Sequence, residues 1–262
     1  MFRAHHTEAT VEPSAVAGFQ RDGYAVVEGV LSAAEVEETR AIVTALAHAE
    51  RASGKAHVYG ERVQRVWNLL DKHPRFQELI VAPYILSWMN ALFARPTPHQ
   101  LYFLSSFQSN ILEPGAPAQK LHIDTPVPEP LPPWIIKANT IWLLDDFTES
   151  NGSTEVIDGS HLRPRKPRPD DPTDEAGIHK VLAPAGSVVF THGALWHRSG
   201  MNRSTRDRIV LLGSFAASYA REIASEEDIV RCLGPDSLAR ASEQLKTVIG
   251  YHHGKKPGGG YA

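Results

Sequence analysis

Along the chain the apolar positions change their rhythm once. Near the start, Gly18 to Val30 reads as a short strand. The Ser32-Ala-Ala-Glu35 that follows has the capping-box pattern, in which the hydroxyl caps the first turn and Glu35 reaches back. A helix is expected from there, burying the stripe Val36, Ile42, Val43 and Leu46, which recurs at helical intervals. A second helical stretch, Arg75 to Phe93, is interrupted by Pro83, and this predicts two pieces or a kink.

From Gln100 onward, short runs rich in Val, Ile, Phe and Trp alternate with clusters of Gly, Pro, Asn and Asp, which is a strand-and-turn pattern. The predicted strands are Leu101 to Ser106, Gln119 to Asp124, Ile135 to Leu144, Ser153 to Ile157, His179 to Leu182, Gly186 to Phe190 and Arg208 to Ala216. Short strands at this spacing imply a mainly β fold, a two-sheet jelly-roll barrel with the N-terminal helices packed outside. The expected layout is one domain over 1–262, with helices over about 32–93, a barrel core over about 100–216 and C-terminal helices over about 225–250. Of the last, Ser225-Glu-Glu-Asp228 caps a short helix ending near Gly234, and Asp236 to Ile249 forms the final one. Two proline-dense segments, Pro126 to Pro133 and His161 to Asp174, cannot continue a sheet interior and read as surface loops, the second as a candidate lid. Its cluster Arg163, Arg165, Lys166 and Arg168 is expected to pair with Asp170, Asp171, Asp174 and Glu175.

Charge and composition narrow the chemistry. Twenty-seven basic and 30 acidic residues give a net charge of −3, so there is no global basic field to gather nucleic acid or an anionic membrane. The single cysteine, Cys232, rules out an intramolecular disulfide or a thiolate cluster. Any metal must therefore be held by His and carboxylates. With no apolar run of spanning length and no basic-then-apolar leader at Met1 to Thr10, the expected location is cytoplasmic. The 13 histidines direct attention to their spacing.

In Gln119-Lys-Leu-His-Ile-Asp124, His122 and Asp124 stand two apart, so on a strand both point to one face. With a third His from a distant strand they would form a two-His, one-carboxylate facial triad on Fe(II), which leaves positions open for cosubstrate and oxygen. His192 and His197 compete for that place. The polar run Gly200 to Asp207 reads as a β-connection centred near Asn202 and Arg203; folding it there sets His197 opposite Arg208. A guanidinium at the base of the apolar run Ile209-Val-Leu-Leu212 needs an anionic partner, which a dicarboxylate chelating iron at its other end would supply.

These motifs resemble the phytanoyl-CoA dioxygenase family of Fe(II)/2-oxoglutarate oxygenases, in particular its branch of secondary-metabolite tailoring enzymes. GFQRDGYAVVEGVLSAAEVE (18–37) and RVWNLLDKHPRFQELI (65–80) resemble the family's opening segments, and APAQKLHID (116–124) its Gln-x-x-His-x-Asp motif. NTIWLLDDFTESNGSTEVIDGSHL (139–162) resembles the central signature, and HRSGMNRSTRDR (197–208) the distal pattern of His, Asn, Ser/Thr and Arg. The resemblance implies a double-stranded β-helix (cupin-like) barrel, iron ligands His122, Asp124 and His197, and Arg208 on the distal carboxylate of 2-oxoglutarate, with Gln119 and Thr154 as further cosubstrate contacts. It also implies Fe(II), 2-oxoglutarate and O2 as the reacting set. Asp158 stands where the family often has Pro, and Ser187 where Asp is frequent; neither position is a ligand. Related halogenases carry a small residue where this chain has Asp124, which favours hydroxylation or another oxidation.

Tyr102, Phe103, Gln108 and Asn110 on the preceding strand, and Trp134 in its proline-rich loop, are candidates for the substrate pocket, whereas Trp142 and Trp196 read as core and His161 as a structural loop residue. The expected activity is hydroxylation of an unactivated C–H bond of a small-molecule metabolite, with no nucleic-acid or membrane partner and a homodimer as the candidate assembly. The competing class is a metal-containing jelly-roll binding protein or lyase, separated from it by Fe(II)-stimulated 2-oxoglutarate decarboxylation.

Overall fold

The structure, a computed structural model, describes residues 2–3, 10–60, 62–94, 102–125, 127–171, 177–223 and 233–251. The chain opens with β1 (Phe2–Arg3), α1 (Pro13–Asp22), β2 (Tyr24–Glu28) and α2 (Ala33–Ala52). Then come the short β3 (His57–Tyr59) and β4 (Val63–Arg65), followed by α3 (Leu69–Lys72), α4 (Pro74–Ile80) and α5 (Pro83–Leu92). The barrel strands are β5 (Tyr102–Leu112), β6 (Lys137–Leu143), β7 (Thr154–Val156), β8 (His179–Lys180), β9 (Val188–His192), β10 (His197–Ser199) and β11 (Arg208–Ala217). Two short helices, α6 (Pro235–Arg240) and α7 (Glu243–Val248), follow.

These strands make the two sheets of a double-stranded β-helix. The large one has the order β1-β2-β9-β6-β11-β5-β4-β3 and the small one β10-β7-β8. The large sheet is covered on both faces, and its side chains divide with the two-residue period of a strand. On β6, Ala138 and Trp142 join the core beneath the helices, while Ile141 and Leu143 join a second core that includes Val156 of β7 and Leu195. On β11, Ile209, Leu211, Phe215 and Ala217 face the helices. Arg208, Val210, Leu212 and Ser214 therefore face the space between the sheets, as do Ser106, Gln108 and Asn110 across from them on β5. The helical layer is fixed by large rings, with Trp88 of α5 stacked on Phe190 of β9 at 4.5 Å.

Several sequence expectations are met. The capping box at Ser32 and Glu35 is formed, with Glu35 N donating to Ser32 Oγ and Ser32 N to Glu35 Oε2. Val36 and Val43 are buried, with Ile42 and Leu46 packed against them. Pro83 divides the second helical stretch by serving as the first residue of α5, where its missing N–H costs nothing. Trp142 and Trp196 are fully buried core residues.

Other expectations are corrected. Gly18 to Asp22 is helical rather than extended, because Ala15 and Phe19 bury one face of a helix opened by Pro13 and closed by Gly23 at φ 88°; the strand is only β2. Gln119 to Asp124 forms no strand: His122 makes a single bridge to His197. β5 runs on to Leu112 instead of ending at Ser106, since it pairs with β11 along its length. The hairpin β3–β4, carried by the alternating HVYGERVQR at 57–65, was not among the expected strands. The final helix is broken in two, as Ser242 caps α7 by accepting from Leu245 N at 3.1 Å. The proposed cap at Ser225–Asp228 and Cys232 lie outside the described residues.

The largest correction concerns Arg208. β10 pairs with β7 in the small sheet, and His197 lies opposite Val156; β11 lies in the large sheet, with Arg208 opposite Leu112. The segment between them crosses from one sheet to the other instead of turning back as a hairpin. Asn202 holds the crossing, its Nδ2 donating to the carbonyls of Leu112 and Arg206 at 2.9 Å each.

The proline-dense segment 127–133 is a loop, as expected, and it is tied to the second one. Leu131 N donates to the Pro164 carbonyl at 2.8 Å, and Lys166 N to Glu129 Oε1 at 2.7 Å. Arg165 forks onto both oxygens of Asp171. Among the described residues no helix is long and apolar enough to cross a membrane.

Gly186, which turns the chain into β9, sits at φ 86°, and a Cβ there would run into the Leu31 carbonyl. Gly186→Ala is expected to destabilise the fold by at least about 2 kcal/mol, combining left-handed strain with a backbone clash. Urea unfolding should show a lower midpoint at unchanged slope.

Candidate active site

Between the sheets lies a cavity of about 140 Å³. His122 and Asp124 reach it from the segment that connects β5 to β6 and bridges to β10 at His122, and His197 from β10. Their ligand atoms all lie within 4.8 Å of one another. His197 Nε2 is 3.3 Å from Asp124 Oδ2, and His122 Nε2 is 3.9 Å from Asp124 Oδ1. Main-chain bonds set the frame: His122 and His197 exchange N–H···O bonds at 3.0 Å each, and Asp124 N donates to the Gly193 carbonyl at 2.8 Å.

The ring tautomers follow from geometry. His122 Nδ1 faces the Lys120 carbonyl and His197 Nδ1 the Leu195 carbonyl, each at 2.9 Å. A carbonyl only accepts, so each Nδ1 carries a proton and Nε2 is the atom each ring turns toward Asp124; beside the carboxylate it can carry a second proton, which a metal would displace. That is the arrangement in which imidazoles bind a metal, with the far nitrogen fixed by a backbone acceptor. Burial disfavours the charged carboxylate, but the His197 charge and hydrogen bond, with Lys137 and His122, hold the Asp124 carboxyl well below its usual range. Burial pushes His122 down, helped by the His197 charge. His197 experiences the same burial, yet Asp124 raises it.

Asn139 of β6 orients the carboxylate. Its Nδ2 donates to Asp124 Oδ2 at 2.8 Å, and its Oδ1 accepts from Ser214 Oγ at 2.9 Å. Sequence reasoning did not single out Asn139. The available signal was its parity with Ile141 on a strand whose odd positions face inward.

Arg208 lines the same cavity and is 1% exposed. Its Nη2 donates to the Gly152 carbonyl at 2.8 Å and to Ser199 Oγ at 3.4 Å, while its Nε has no partner. Burial lowers its pKa to about 10, against the pull of Asp145, so it stays charged at neutral pH. A second guanidinium, Arg65 of β4, also lines the cavity, its Nε likewise without a partner. It too was missed, because β3–β4 was not expected.

Of the remaining candidates, Gln119, Thr154, Gln108 and Asn110 line the cavity. Gln119 Oε1 accepts from Ser199 N at 3.0 Å, and Gln108 Oε1 and Asn110 Oδ1 are buried without partners. Tyr102 does not line it: its ring packs against Phe93 and Phe215 on the helix side. Phe103 is buried but is not among the lining residues, and Trp134, half exposed, lies outside the cavity with its Nε1 donating to Tyr219 Oη at 2.9 Å. His161 is buried, its Nε2 bonded to the Gln20 carbonyl at 3.1 Å. His192, the competitor of His197, accepts from Ala194 N at 3.0 Å through Nδ1 and packs 4.9 Å from His161, away from the cluster.

Two outcomes test this geometry. Asn139→Ala, which frees the carboxylate to rotate, is expected to weaken divalent iron binding by about 10- to 100-fold with the fold retained, measured by competitive metal titration alongside circular dichroism. His192 is held neutral by burial and by His161, with its pKa pushed down to about 3. The unfolded chain takes up this proton near its ordinary pKa, so the contribution of His192 is complete above about pH 6.5 and is lost as pH falls toward 3, by a few kcal/mol. Stability of His192→Asn measured against pH should fall less steeply across that window than stability of the wild type.

Comparisons with known proteins place the chain among its relatives. The sequence model of the family described as phytanoyl-CoA dioxygenase (PhyH) matches residues 19–210. The dioxygenase af480 of Aspergillus fumigatus is 29% identical over 252 residues, covering 91% of this chain and 77% of that protein. The multifunctional dioxygenase prhA of Penicillium brasilianum is 27% identical over 255 residues, covering 90% and 81%. Among solved structures, the non-heme α-ketoglutarate-dependent carbocyclase SnoK from nogalamycin biosynthesis superposes with a TM-score of 0.64 at 23% identity, covering 81% of this chain and 87% of its own. HygX from Streptomyces hygroscopicus, solved with nickel, 2-oxoglutarate and hygromycin B, gives 0.67 at 17% identity, covering 80% and 88%. Fold, cavity and a family match that spans the barrel from α1 into β11 lead to one assignment: the chain belongs to the phytanoyl-CoA dioxygenase family.

Proposed function

We propose that the protein is an Fe(II)- and 2-oxoglutarate-dependent dioxygenase that hydroxylates an unactivated C–H bond of a small-molecule metabolite and releases succinate and carbon dioxide. The observation that carries this reading is the pairing, inside one cavity, of a His122–Asp124–His197 cluster with a buried guanidinium, Arg208, that lacks an anionic partner there. A buried, incompletely paired charge costs several kcal/mol, and a dicarboxylate with one end on the metal places its other end where that cost is offset.

In this reading His122 Nε2, Asp124 and His197 Nε2 hold the iron, and three protein ligands leave coordination positions for cosubstrate and O2. When bound, iron and 2-oxoglutarate supply, from O2, the oxidising power that an unactivated C–H bond requires. The chain does the rest. Lys120 and Leu195 carbonyls fix the imidazoles, and Asn139 orients the carboxylate. Arg208 would take the distal carboxylate of 2-oxoglutarate, with Thr154 and Gln119 lining the same cavity, as does Arg65, whose charge is felt by His122. Asp124 itself supports oxidation over halogenation, since it leaves no ligand position for a halide. The small-molecule substrate is supported by HygX, solved with hygromycin B, and by the secondary-metabolism setting of SnoK.

Substitutions should separate the roles. His122→Ala and His197→Ala are expected to lose iron and, with it, iron-dependent conversion of 2-oxoglutarate to succinate, whereas His192→Ala keeps iron. Arg208→Ala should keep the metal and bind 2-oxoglutarate about 100-fold more weakly or worse, from the loss of two charge-assisted hydrogen bonds at about 1.5–3 kcal/mol each. Iron retained by His197→Ala and lost by His192→Ala, or wild-type 2-oxoglutarate affinity in Arg208→Ala, would overturn the assignment.

A further inference from the structure

His192 lies away from the His122–Asp124–His197 cluster, but the main chain ties it to that cluster. It is the last residue of β9 and is buried. Beyond it the chain reverses in a tight turn: Leu195 N donates to the His192 carbonyl at 2.9 Å, and Ala194 N donates to His192 Nδ1 at 3.0 Å. A main-chain N–H only donates, so Nδ1 holds a lone pair there and the neutral ring carries its proton on Nε2. The imidazole thus acts as an Asn or Asp side chain does when it accepts from the N–H two residues on.

Two carbonyls of this turn hold two of the three metal-binding residues. Gly193 O accepts from Asp124 N at 2.8 Å and from Thr125 N at 2.9 Å. Leu195 O accepts from His197 Nδ1 at 2.9 Å, the contact that turns His197 Nε2 toward Asp124. The Gly193 carbonyl and the Ala194 N–H belong to one peptide unit, which is planar and trans, so the two groups point in opposite directions. Holding Ala194 N on His192 Nδ1 therefore aims Gly193 O at the Asp124 segment.

The ring is itself fixed from behind. It packs 4.9 Å from the His161 ring and 6.3 Å from Phe19 of α1, and the His192 main-chain N–H donates to the Gly23 carbonyl at 2.8 Å. A Cβ on Gly23 would meet His161 Nδ1 at 2.5 Å, so the glycine that closes α1 also makes room for the pair of rings. The same kind of side-chain bond occurs once more, at His73, whose Nδ1 accepts from Arg75 N at 3.1 Å and caps α4. His73 is not among the residues that line the cavity.

We infer that His192 is a positioning residue of the metal centre. As the acceptor for Ala194 N it orients the Gly193–Ala194 peptide, and through it the backbone of Asp124, while the turn it closes presents Leu195 O to His197. This deepens the oxygenase reading and rests on it for the metal that His122, Asp124 and His197 hold.

The test is a competitive titration of the full chain, stripped of metal, with divalent cobalt in place of iron, followed by the visible absorption of the bound cobalt. His192→Leu, which fills the site without an acceptor, is expected to bind cobalt about 10-fold more weakly or worse, the scale of a contact that orients a metal ligand. All three ligands remain, so cobalt still binds at saturation. His192→Ala should be weakened in the same way without added bulk. His192→Asn, whose side-chain oxygen accepts from the same N–H, should recover affinity to within about 3-fold of the wild type. His73→Leu removes the matching bond elsewhere and should lower the thermal unfolding midpoint with cobalt affinity unchanged. The proposal is overturned if His192→Leu and His192→Ala bind cobalt as the wild type does, if His192→Asn is as weak as they are, or if His73→Leu weakens binding equally. Failure of the oxygenase reading is a separate result: wild-type protein that binds cobalt but, given iron, consumes no 2-oxoglutarate would refute that reading and leave the order of the variants to decide on His192, whereas wild-type protein that binds no cobalt would overturn both.

Discussion

The Asp124 carboxylate imposes the tightest set of demands on this fold. It lies between two imidazoles and beneath a sheet, so each approach to it has to supply a donor or a cation. Asn139 donates to one oxygen, His197 approaches the same oxygen, and Lys137 contributes charge from β6. Its own main-chain N–H, and that of Thr125, converge on the Gly193 carbonyl at 2.8 and 2.9 Å. Gly193 cannot be replaced without moving something, because a Cβ there would meet Thr125 Oγ1 at 2.5 Å and the Lys137 carbonyl at 2.7 Å. The close passage of residues 122–125 over the start of β6 is therefore as much a property of a missing side chain as of the ligands themselves.

The barrel makes such a site affordable by separating two kinds of interior. On the outer face of the large sheet, Trp88, Phe190, Phe107 and Trp142 pack with the helices into an apolar layer. On the inner face the same strands carry Gln108, Asn110, Asn139, Ser214 and Arg208. Strand periodicity lets one ten-residue strand, β11, serve both, giving Ile209 and Leu211 to the core and Arg208 and Ser214 to the cavity. Arg208 and Ser214 sit at opposite ends of the cavity's stretch of that strand, so the spacing between a guanidinium and the network that orients Asp124 is fixed by backbone hydrogen bonds rather than by flexible side chains.

The sequence was most informative where the signal is local. The capping box at Ser32, the break at Pro83, the strand character of β6, β9 and β11, and the His-x-Asp spacing are all written in neighbouring residues. The structure brings His122, Asp124, His197, Gln119, Thr154 and Arg208 to one cavity. It does so by a route the local pattern did not predict. His122 and Asp124 share a face without belonging to a strand, and His197 and Arg208 meet across the gap between two sheets rather than across a hairpin.

The sequence by itself determined the fold class and the His122–Asp124 pair, because periodicity, capping and His-x-Asp spacing depend on residues within a few positions of one another, while the choice between His192 and His197 came from a resemblance to a family and not from local spacing. Only the tertiary structure decided which sheet each strand joins, that His192 turns away toward His161, that Tyr102 faces the helices, and that Arg65, Lys137 and Asn139 line the site. Those outcomes depend on how strands from distant parts of the chain pair and on which face the resulting sheet turns inward. A one-residue change of register reverses every such choice, and nothing local to a tyrosine, an asparagine or a lysine records it.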